Sequence, residues 1–378
     1  MDEHQINGAM AHHAATPEVS ILEHVDRLTK ELHDSIAGKR KLYLDTRYWI
    51  HLRDAAMGRP RRPEHVEILD CVQRLVSTGA AICPISDVAW MELSKQSDPL
   101  TRRSTAVLLD ELSLGVAIMT EHERVVSEIE QFVTRAAETG LNPILRNRVW
   151  VKAGYVLGIA IPAISQFSPA QNLLAQKTSV DVFWNISIQE MLETNTSIPG
   201  VSDSFEESAA KITAAMQRYA YQIRSIKQAF TAEIAGALRV FEKDIRLIVL
   251  RHFERSGGDR SSVTHGHIEQ ASQKVLTALI NAFALKPELM AQRIPSLYAY
   301  AMCHAAVRMD KSRTFDGHDL LDIHHASSGI PYHDAVFTEN PLRVLVTAGN
   351  VRLDKTFQCA VLSHERDVLS HLRALLTA

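Results

Sequence analysis

Acidic side chains recur where the sequence predicts that strands end or helices begin. Asp45 closes the apolar run LYLD, and Glu92 lies in the helix predicted after the next apolar run. Asp319 and Asp322 share one predicted helix face, and Asp334 directly precedes the apolar run AVF. Carboxylates that meet at one place repel one another strongly unless a hard cation neutralises them. The pattern therefore predicts an oxygen-ligand site for Mg²⁺ or Mn²⁺, ions that support phosphodiester hydrolysis.

Each acid also has an ordinary structural explanation. An Asp after a strand often caps a helix, a helix Glu is usually solvated, and acids such as Asp319 and Asp322 stabilise a helix N-terminus. The stretch around Asp334 is harder to explain in this way, because Glu339 and Asn340 follow the same short strand. The metal-site prediction depends on the acids converging, and not on any one of them.

The first part of the chain alternates between predicted strands and helices. A strand at 41–46 is followed by a helix at 63–77, a strand at 80–85 and a helix that begins at Ser86 or Asp87. This alternation predicts a parallel sheet, and ligands of such sheets bind at the carboxyl ends of the strands.

The alternation of predicted strands and helices returns near the C-terminus, after a long stretch of helical periodicity. That stretch includes 204–255, predicted as one very long helix or two joined end to end, and broken at Gly257 and Gly258. We expect an α/β fold with a central parallel sheet assembled from both chain ends, plus a large all-α insertion. The predicted parts are a disordered leader (1–18), a catalytic domain (19–100 and 312–378) and the helical insertion (101–311). In the C-terminal part the predicted elements are a helix at 319–328, a strand at 335–338, a helix at 341–348, a strand at 357–362 and a helix at 365–376.

Three stretches resemble the PIN-like nucleases in their order and style, namely LYLDTRYWIHL, PISDVAWMELSK and FDGHDLLDIHHASSGIPYHDAVFTENPL. The resemblance covers about 40–100 and 312–378, and it implies a three-layer fold and metal-dependent cleavage of RNA. It also implies Asp45 as the first metal ligand, Glu92 as the second, Asp322 or Asp319 as the third and Asp334 as the fourth. The chain departs from the family in its insertion and at Asn340, where many relatives carry Asp after the Thr.

Several residues near the acids are expected to play supporting roles. Thr338 is placed to hydrogen-bond a ligand carboxylate or a phosphate, and Arg47 and Tyr48 to touch the RNA backbone, unless they form a solvated surface. The basic stretch 59–62 either attracts phosphate to the site or is a solvated loop.

Histidines also cluster around the acids, and we expect them to act as neighbours of the ligands or as surface residues. They are His318, His324, His325 and His333. Two His–Asp pairs raise the alternative of an HD-type metal phosphohydrolase. That family is all-helical, whereas Asp334 precedes a predicted strand, so the alternative is disfavoured.

Composition limits the function without naming it. The 41 basic and 44 acidic residues give a net charge of −3, so no overall basic field indicates a nucleic-acid partner. The four cysteines show no metal-ligand spacing, and the chain has no apolar run that would cross a membrane, so we expect a cytoplasmic protein. The leading hypothesis is a metal-dependent endoribonuclease. The alternative is a catalytically silent scaffold whose helical insertion binds partners or forms a homo-oligomer.

Overall fold

A computed structural model describes residues 3–134, 148–194, 201–219, 223–310 and 315–377. Within these ranges the protein is mostly helical, with a small parallel sheet of four strands and a separate antiparallel pair. The strands are β1 Arg40–Leu44, β2 Ala81–Ile82, β3 Val116–Ile118, β4 Trp150–Lys152, β5 Ala335–Phe337 and β6 Ala360–Leu362.

The helices fall into three groups along the chain. Those before and around the first strands are α1 Glu3–Ala15, α2 Ile21–Ile36, α3 Thr46–Ala56, α4 Pro63–Ser77, α5 Asp87–Leu93, α6 Pro99–Ser113 and α7 Glu121–Thr134. The middle group is α8 Pro169–Asn185, α9 Ile188–Thr194, α10 Val201–Tyr219, α11 Ile226–Val240, α12 Glu242–Arg255, α13 His265–Leu285, α14 Pro287–Arg293 and α15 Pro295–Met309. The last group is α16 Gly317–Gly329, α17 Asn340–Thr347, α18 Leu353–Phe357 and α19 Glu365–Thr377.

The parallel sheet has the strand order β2-β1-β5-β6, so strands from both ends of the chain lie side by side. Leu42 pairs with Ala335 and Leu44 with Phe337. The prediction of a central parallel sheet assembled from both chain ends is confirmed.

Helices cover both faces of this sheet. Leu42 and Leu44 belong to one hydrophobic cluster with residues of α3, α4 and α19, whereas Tyr43 belongs to a second cluster with residues of α15 and α16. Successive side chains of a strand point to opposite faces, so this division places the sheet between two helical layers. Each cluster also contains residues from the predicted insertion, such as Leu109 in the first and Leu279 in the second.

The second predicted strand is shorter than expected. Only Ala81 and Ile82 pair with β1, after which the backbone N–H of Cys83 donates to the carbonyl of Leu112. Ile85 then bridges to Ala117 of β3. The apolar run at 80–85 is therefore shared between two sheets.

Two predictions for the insertion are wrong. It is not all-α, because β3 and β4 form an antiparallel pair within it; their runs of three residues are too short to stand out from the helical periodicity around them. The stretch 204–255 does not form one long helix or two. Its helices are α10, α11 and α12, since Ser225 caps α11 in an extended conformation and Phe241 leaves the helical region between α11 and α12.

The leader is also different from the prediction, because Glu3–Ala15 forms a helix. Its sequence has no apolar stripe, and His13 is its only buried side chain among those described. The predicted domain boundary at 311–312 lies outside the described residues. All four cysteines are buried and free.

Candidate metal centre

Asp45 stands at the carboxyl end of β1, where the strand gives way to α3. It is the N-cap of that helix, and its carboxylate accepts a hydrogen bond from the backbone N–H of Tyr48 at 3.1 Å. Its own N–H donates to the carbonyl of Phe337, which fixes it beside the end of β5. The side chain is buried, with 4% of the residue exposed. A strand end and a cap therefore hold the predicted first ligand in one position.

The surroundings of Asp45 do not neutralise its charge fully. Burial raises its pKa above the ordinary value; His325, Thr338 and the Tyr48 N–H act in the opposite direction, and Glu339 adds to the increase. The net result is a raised pKa, which means that the folded protein disfavours the charged form of this carboxyl.

Asp322, one turn into α16, belongs to the same group of acids. Burial raises its pKa to about 7, with His325 opposing and with Asp45, Glu339 and Asp319 adding to the increase. A raised pKa that burial causes and neighbouring carboxyls increase further is the pattern expected of a buried acid cluster.

Asp319 has a different position from Asp322. It forms a capping box with Asp316, in which the Asp319 N–H donates to the Asp316 carboxylate at 2.9 Å and the Asp316 N–H donates back at 3.2 Å. Of the two candidates for the third ligand, the structure therefore places Asp322 toward Asp45 and Asp319 at the helix N-terminus.

Glu92 joins the group through His325. Its carboxylate hydrogen-bonds the His325 Nε2 at 2.9 Å and accepts a bond from the Thr46 hydroxyl. Burial raises the pKa of Glu92, but His325, Thr46 and Lys95 outweigh this effect and bring the pKa below its ordinary value. Glu92 therefore stays ionised, and its partners fix its orientation. The prediction of Glu92 as the second metal ligand stays a prediction, since its carboxylate is engaged by His325 and Thr46.

His325 stands at the centre of the acids. Its Nδ1 lies 2.6 Å from the Tyr43 hydroxyl, which in turn lies 2.8 Å from the Ser86 hydroxyl. Burial lowers the pKa of His325, but Glu92, Asp45 and Asp322 raise it more, so the net shift is upward. An imidazolium here compensates part of the negative charge. The sequence placed His325 near the acids but did not show that it links them.

Asp334 does not belong to this group, which corrects its assignment as the fourth ligand. Its carboxylate accepts hydrogen bonds from the Arg40 guanidinium at 2.9 Å and from the Lys41 N–H at 2.8 Å, both at the start of β1. Because β5 runs parallel to β1, an acid that precedes β5 lies at the amino edge of the sheet. At about 3.3 Å per residue, that edge is more than 10 Å from the carboxyl edge.

The structure puts Glu339 where Asp334 was expected. Glu339 follows Thr338 after β5, beside the end of β1, and its charge raises the pKa of both Asp45 and Asp322. The order of acid and strand in the sequence was the signal that could have found it, since only residues after a parallel strand lie at its carboxyl end.

The predicted RNA contacts are less accessible than expected. Tyr48 is buried, and its hydroxyl donates to the carbonyl of Ser363, so it belongs to the core. In the basic stretch, Arg61 pairs with Asp54 at 3.4 Å and Arg62 with Glu365 at 3.1 Å. These arginines keep exposed side chains, and their charges are compensated only in part, because Asp54 also pairs with Arg53 and Glu365 with Arg47.

The ligand atoms at this edge suit a magnesium-like ion. In the part of the chain that the structure describes, no three carboxylates here have oxygens that all lie within 4.8 Å of one another. Mg²⁺ does not require such a cage, because it commonly binds one or two carboxylates and keeps several waters. Asp45, Asp322 and Glu339 offer carboxylate oxygens, the ligand type that such a hydrated cation accepts.

Comparisons with protein-family models, with curated proteins and with solved structures found no match to this chain. The likeness to PIN-like nucleases is therefore carried by the three sequence stretches alone. Among the described residues, no helix has both the length and the apolar character needed to cross a membrane.

Proposed function

We propose that the protein is a metal-dependent endoribonuclease of the PIN-like kind, with a Mg²⁺ or Mn²⁺ site formed by Asp45, Asp322 and Glu339. One observation carries the proposal: Asp45 and Glu339 follow two adjacent parallel strands at the same sheet edge, where burial raises the pKa of Asp45 and Asp322 and the neighbouring acids add to the increase. Acids arranged against one another destabilise the folded chain unless a cation joins them. A divalent ion supplies that charge.

In this proposal some residues bind the ion and others position the residues around it. A bound Mg²⁺ or Mn²⁺ lowers the pKa of water and stabilises charge on phosphate oxygens. Asp45 is fixed by its position as a helix cap, and Glu92 by Thr46 and His325. Glu92 therefore acts as a positioning residue, since it orients His325 against Asp45 and Asp322.

Proton binding competes with metal binding at this site. The Asp322 carboxyl, with its pKa of about 7, is partly protonated at neutral pH when no cation is present. A cation that binds the carboxylate displaces this proton, so metal affinity rises with pH through this range.

RNA is the substrate class that the PIN-like resemblance implies. Arg47, on the first turn of α3 and next to the Asp45 edge, has a side chain that is 35% exposed, and its ionic partner Glu365 is 3.9 Å away. It is the nearest basic side chain in sequence to the proposed ligands. We assign it to the phosphate backbone of the substrate.

The test is cleavage of a mixture of structured and unstructured RNA with Mn²⁺, with Mg²⁺ and with EDTA. We expect metal-dependent cutting by the native protein, and its loss in Asp45→Asn. No cutting with either ion, together with no Mn²⁺ binding, would overturn the proposal.

That result would favour the scaffold alternative, which has an observation of its own. Several apolar side chains of the helical insertion are exposed, among them Leu285 (79%), Val240 (72%) and Leu247 (54%). Exposed apolar side chains of this kind are suited to a protein partner. A scaffold would bind its partner without Mn²⁺.

A further inference from the structure

A second group of side chains with possible metal ligands lies on three helices that carry none of these acids. His13 of α1, His24 of α2 and Asp181 of α8 each offer one ligand atom, and these atoms all lie within 4.8 Å of one another. The Nε2 atom of His13 is 2.7 Å from one carboxylate oxygen of Asp181, and that of His24 is 2.8 Å from the other. It is the only such group found among the described residues.

We propose that His13, His24 and Asp181 form a binding site for a transition-metal ion of the Zn²⁺ class. Two imidazoles and one carboxylate are a ligand set that Zn²⁺ accepts, with water in the fourth position. This chemistry differs from that of the carboxylate edge, which suits Mg²⁺ or Mn²⁺. The site is independent of the proposed nuclease function.

The group of His13, His24 and Asp181 is mostly buried, with one side open to solvent. His13 and His24 are 3% and 2% exposed, whereas the Asp181 side chain is 18% exposed.

A metal ion bound by this group would attach helix α1 to the rest of the protein. No apolar stripe holds it to the body, and among its described side chains only His13 is buried. Burying a polar side chain is costly unless its partners compensate. An ion shared with α2 and α8 would attach α1 by strong bonds instead of by apolar packing.

Two positively charged side chains, Lys177 and Arg27, lie beside the group, and a bound metal ion would have to be compatible with both. The Lys177 ammonium donates to the carbonyls of Thr16 and Val19 at 2.8 and 3.2 Å, so its hydrogen bonds are directed at the loop between α1 and α2. Arg27 is exposed and donates to the Nδ1 of His24 at 3.1 Å. Since arginine only donates, the His24 proton lies on Nε2 in the metal-free state.

Metal binding therefore requires a change of tautomer. The single proton of the His24 ring moves from Nε2 to Nδ1, and the exposed Arg27 side chain turns into solvent. The ring nitrogens and the carboxylate also separate slightly, because ligands of tetrahedral zinc are about 3.3 Å apart when the bonds are about 2.0 Å long.

The experiment uses the full chain after removal of metal with a chelator. Zn²⁺ is titrated by calorimetry, and Co²⁺ is added as a spectroscopic probe whose visible absorption reports nitrogen and oxygen ligands. All samples carry Asp45→Asn, so that the carboxylate edge does not contribute. We expect one Zn²⁺ per chain, a visible Co²⁺ band that Zn²⁺ removes, and a higher melting temperature with Zn²⁺.

Matched variants assign the ligands. His24→Gln and Asp181→Asn should weaken Zn²⁺ binding by more than about 100-fold, since even groups that only orient metal ligands contribute about 10- to 100-fold. His33→Gln makes the same change on the same helix at a histidine outside the group, and should bind Zn²⁺ as the parent does.

Two results would overturn the proposal. One is the absence of a Co²⁺ band and of Zn²⁺ binding in the parent protein, a result that does not depend on any variant folding. The other is equal Zn²⁺ affinity in Asp181→Asn and the parent. Either would leave the three residues as a hydrogen-bonded contact between helices.

Discussion

The two edges of the central sheet differ in what surrounds their acids: one acid is paired with hydrogen-bond donors, whereas the others lie near further acids. At the amino edge, Asp334 lies between the Arg40 guanidinium and the Lys41 N–H. At the carboxyl edge, Asp45 and Asp322 face each other and Glu339, with His325 as the compensating group. An acid with a partner supplied by the fold needs nothing further, whereas acids that face acids require a cation from outside. The comparison separates a structural carboxylate from candidate ligands.

Removing the charge of Asp45 should have the largest effect. We expect Asp45→Asn to lower RNA cleavage by about 100- to 1000-fold, because metal stabilisation of the transition state is worth several kcal/mol. The amide still accepts the Tyr48 hydrogen bond, so the fold should persist. Single-turnover cleavage measures the effect, with circular dichroism as the control. Native activity in a folded variant would remove Asp45 from the site.

The next largest effect is expected at Glu339, and the matched control is Asp334 at the opposite edge of the sheet. Glu339→Gln should reduce cleavage by about 10- to 100-fold, a range typical of changes close to a metal site. Asp334→Asn, which removes the same charge at the other end of the same strand, should leave cleavage unchanged. The opposite order of effects in a cleavage assay would restore Asp334 as a ligand and exclude Glu339.

The Asp322 carboxyl should make the metal-free protein less stable as the pH rises. It has an ordinary pKa of 3.8 and a folded pKa of about 7, so between these values the carboxyl holds more protons in the folded chain than in the unfolded chain. Its contribution to the free energy of unfolding therefore falls with increasing pH, by a few kcal/mol. The upward shifts at Asp45 and His325 act in the same direction, whereas the lowered pKa values of the buried His304 and His333 act in the opposite direction below about pH 6.5.

Urea unfolding in EDTA, between about pH 5 and about pH 7.5, measures this slope. Asp322→Asn should flatten it, and Asp319→Asn should change it less, because Asp319 contributes less to the raised pKa of Asp322 than Asp45 and Glu339 do. The contradicting outcome is a slope that Asp322→Asn does not change.

The smallest effect is expected at the amino edge. Asp334→Asn should lower the free energy of unfolding by less than about 1 kcal/mol, because its Arg40 partner is 62% exposed and such pairs contribute little. The amide can still accept from the Lys41 N–H. Thermal unfolding checks this value, and a loss of several kcal/mol would show that the amino edge depends on this charge.

Much of the fold could be predicted because its signals are local. The apolar run before Asp45 gave β1, and the apolar face of 63–77 gave α4 within the same bounds. The pair β3 and β4 could not be found in this way, because each strand has three residues and depends on pairing across a long stretch of chain. Helix α1 was missed because a polar contact through His13, and not an apolar stripe, attaches it.

The candidate site was predicted in part for the same reason. Asp45 follows its own strand, so its location depends only on local sequence. Choosing Asp322 over Asp319 required knowing which turn of α16 faces β1, and choosing Glu339 over Asp334 required the direction of β5. His325 brings Glu92 close to Asp322 only in the folded protein, because α5 and α16 are far apart in the chain.

The most direct test of the account is Mn²⁺ calorimetry on three proteins that all carry Asp181→Asn, so that the histidine site is disabled. The first has no other change, the second adds Asp45→Asn and Glu339→Gln, and the third adds Asp334→Asn. We predict that Mn²⁺ binds the first and third with similar affinity and that binding to the second is lost. Equal binding to all three, or loss in the third alone, would contradict a metal site at the carboxyl edge.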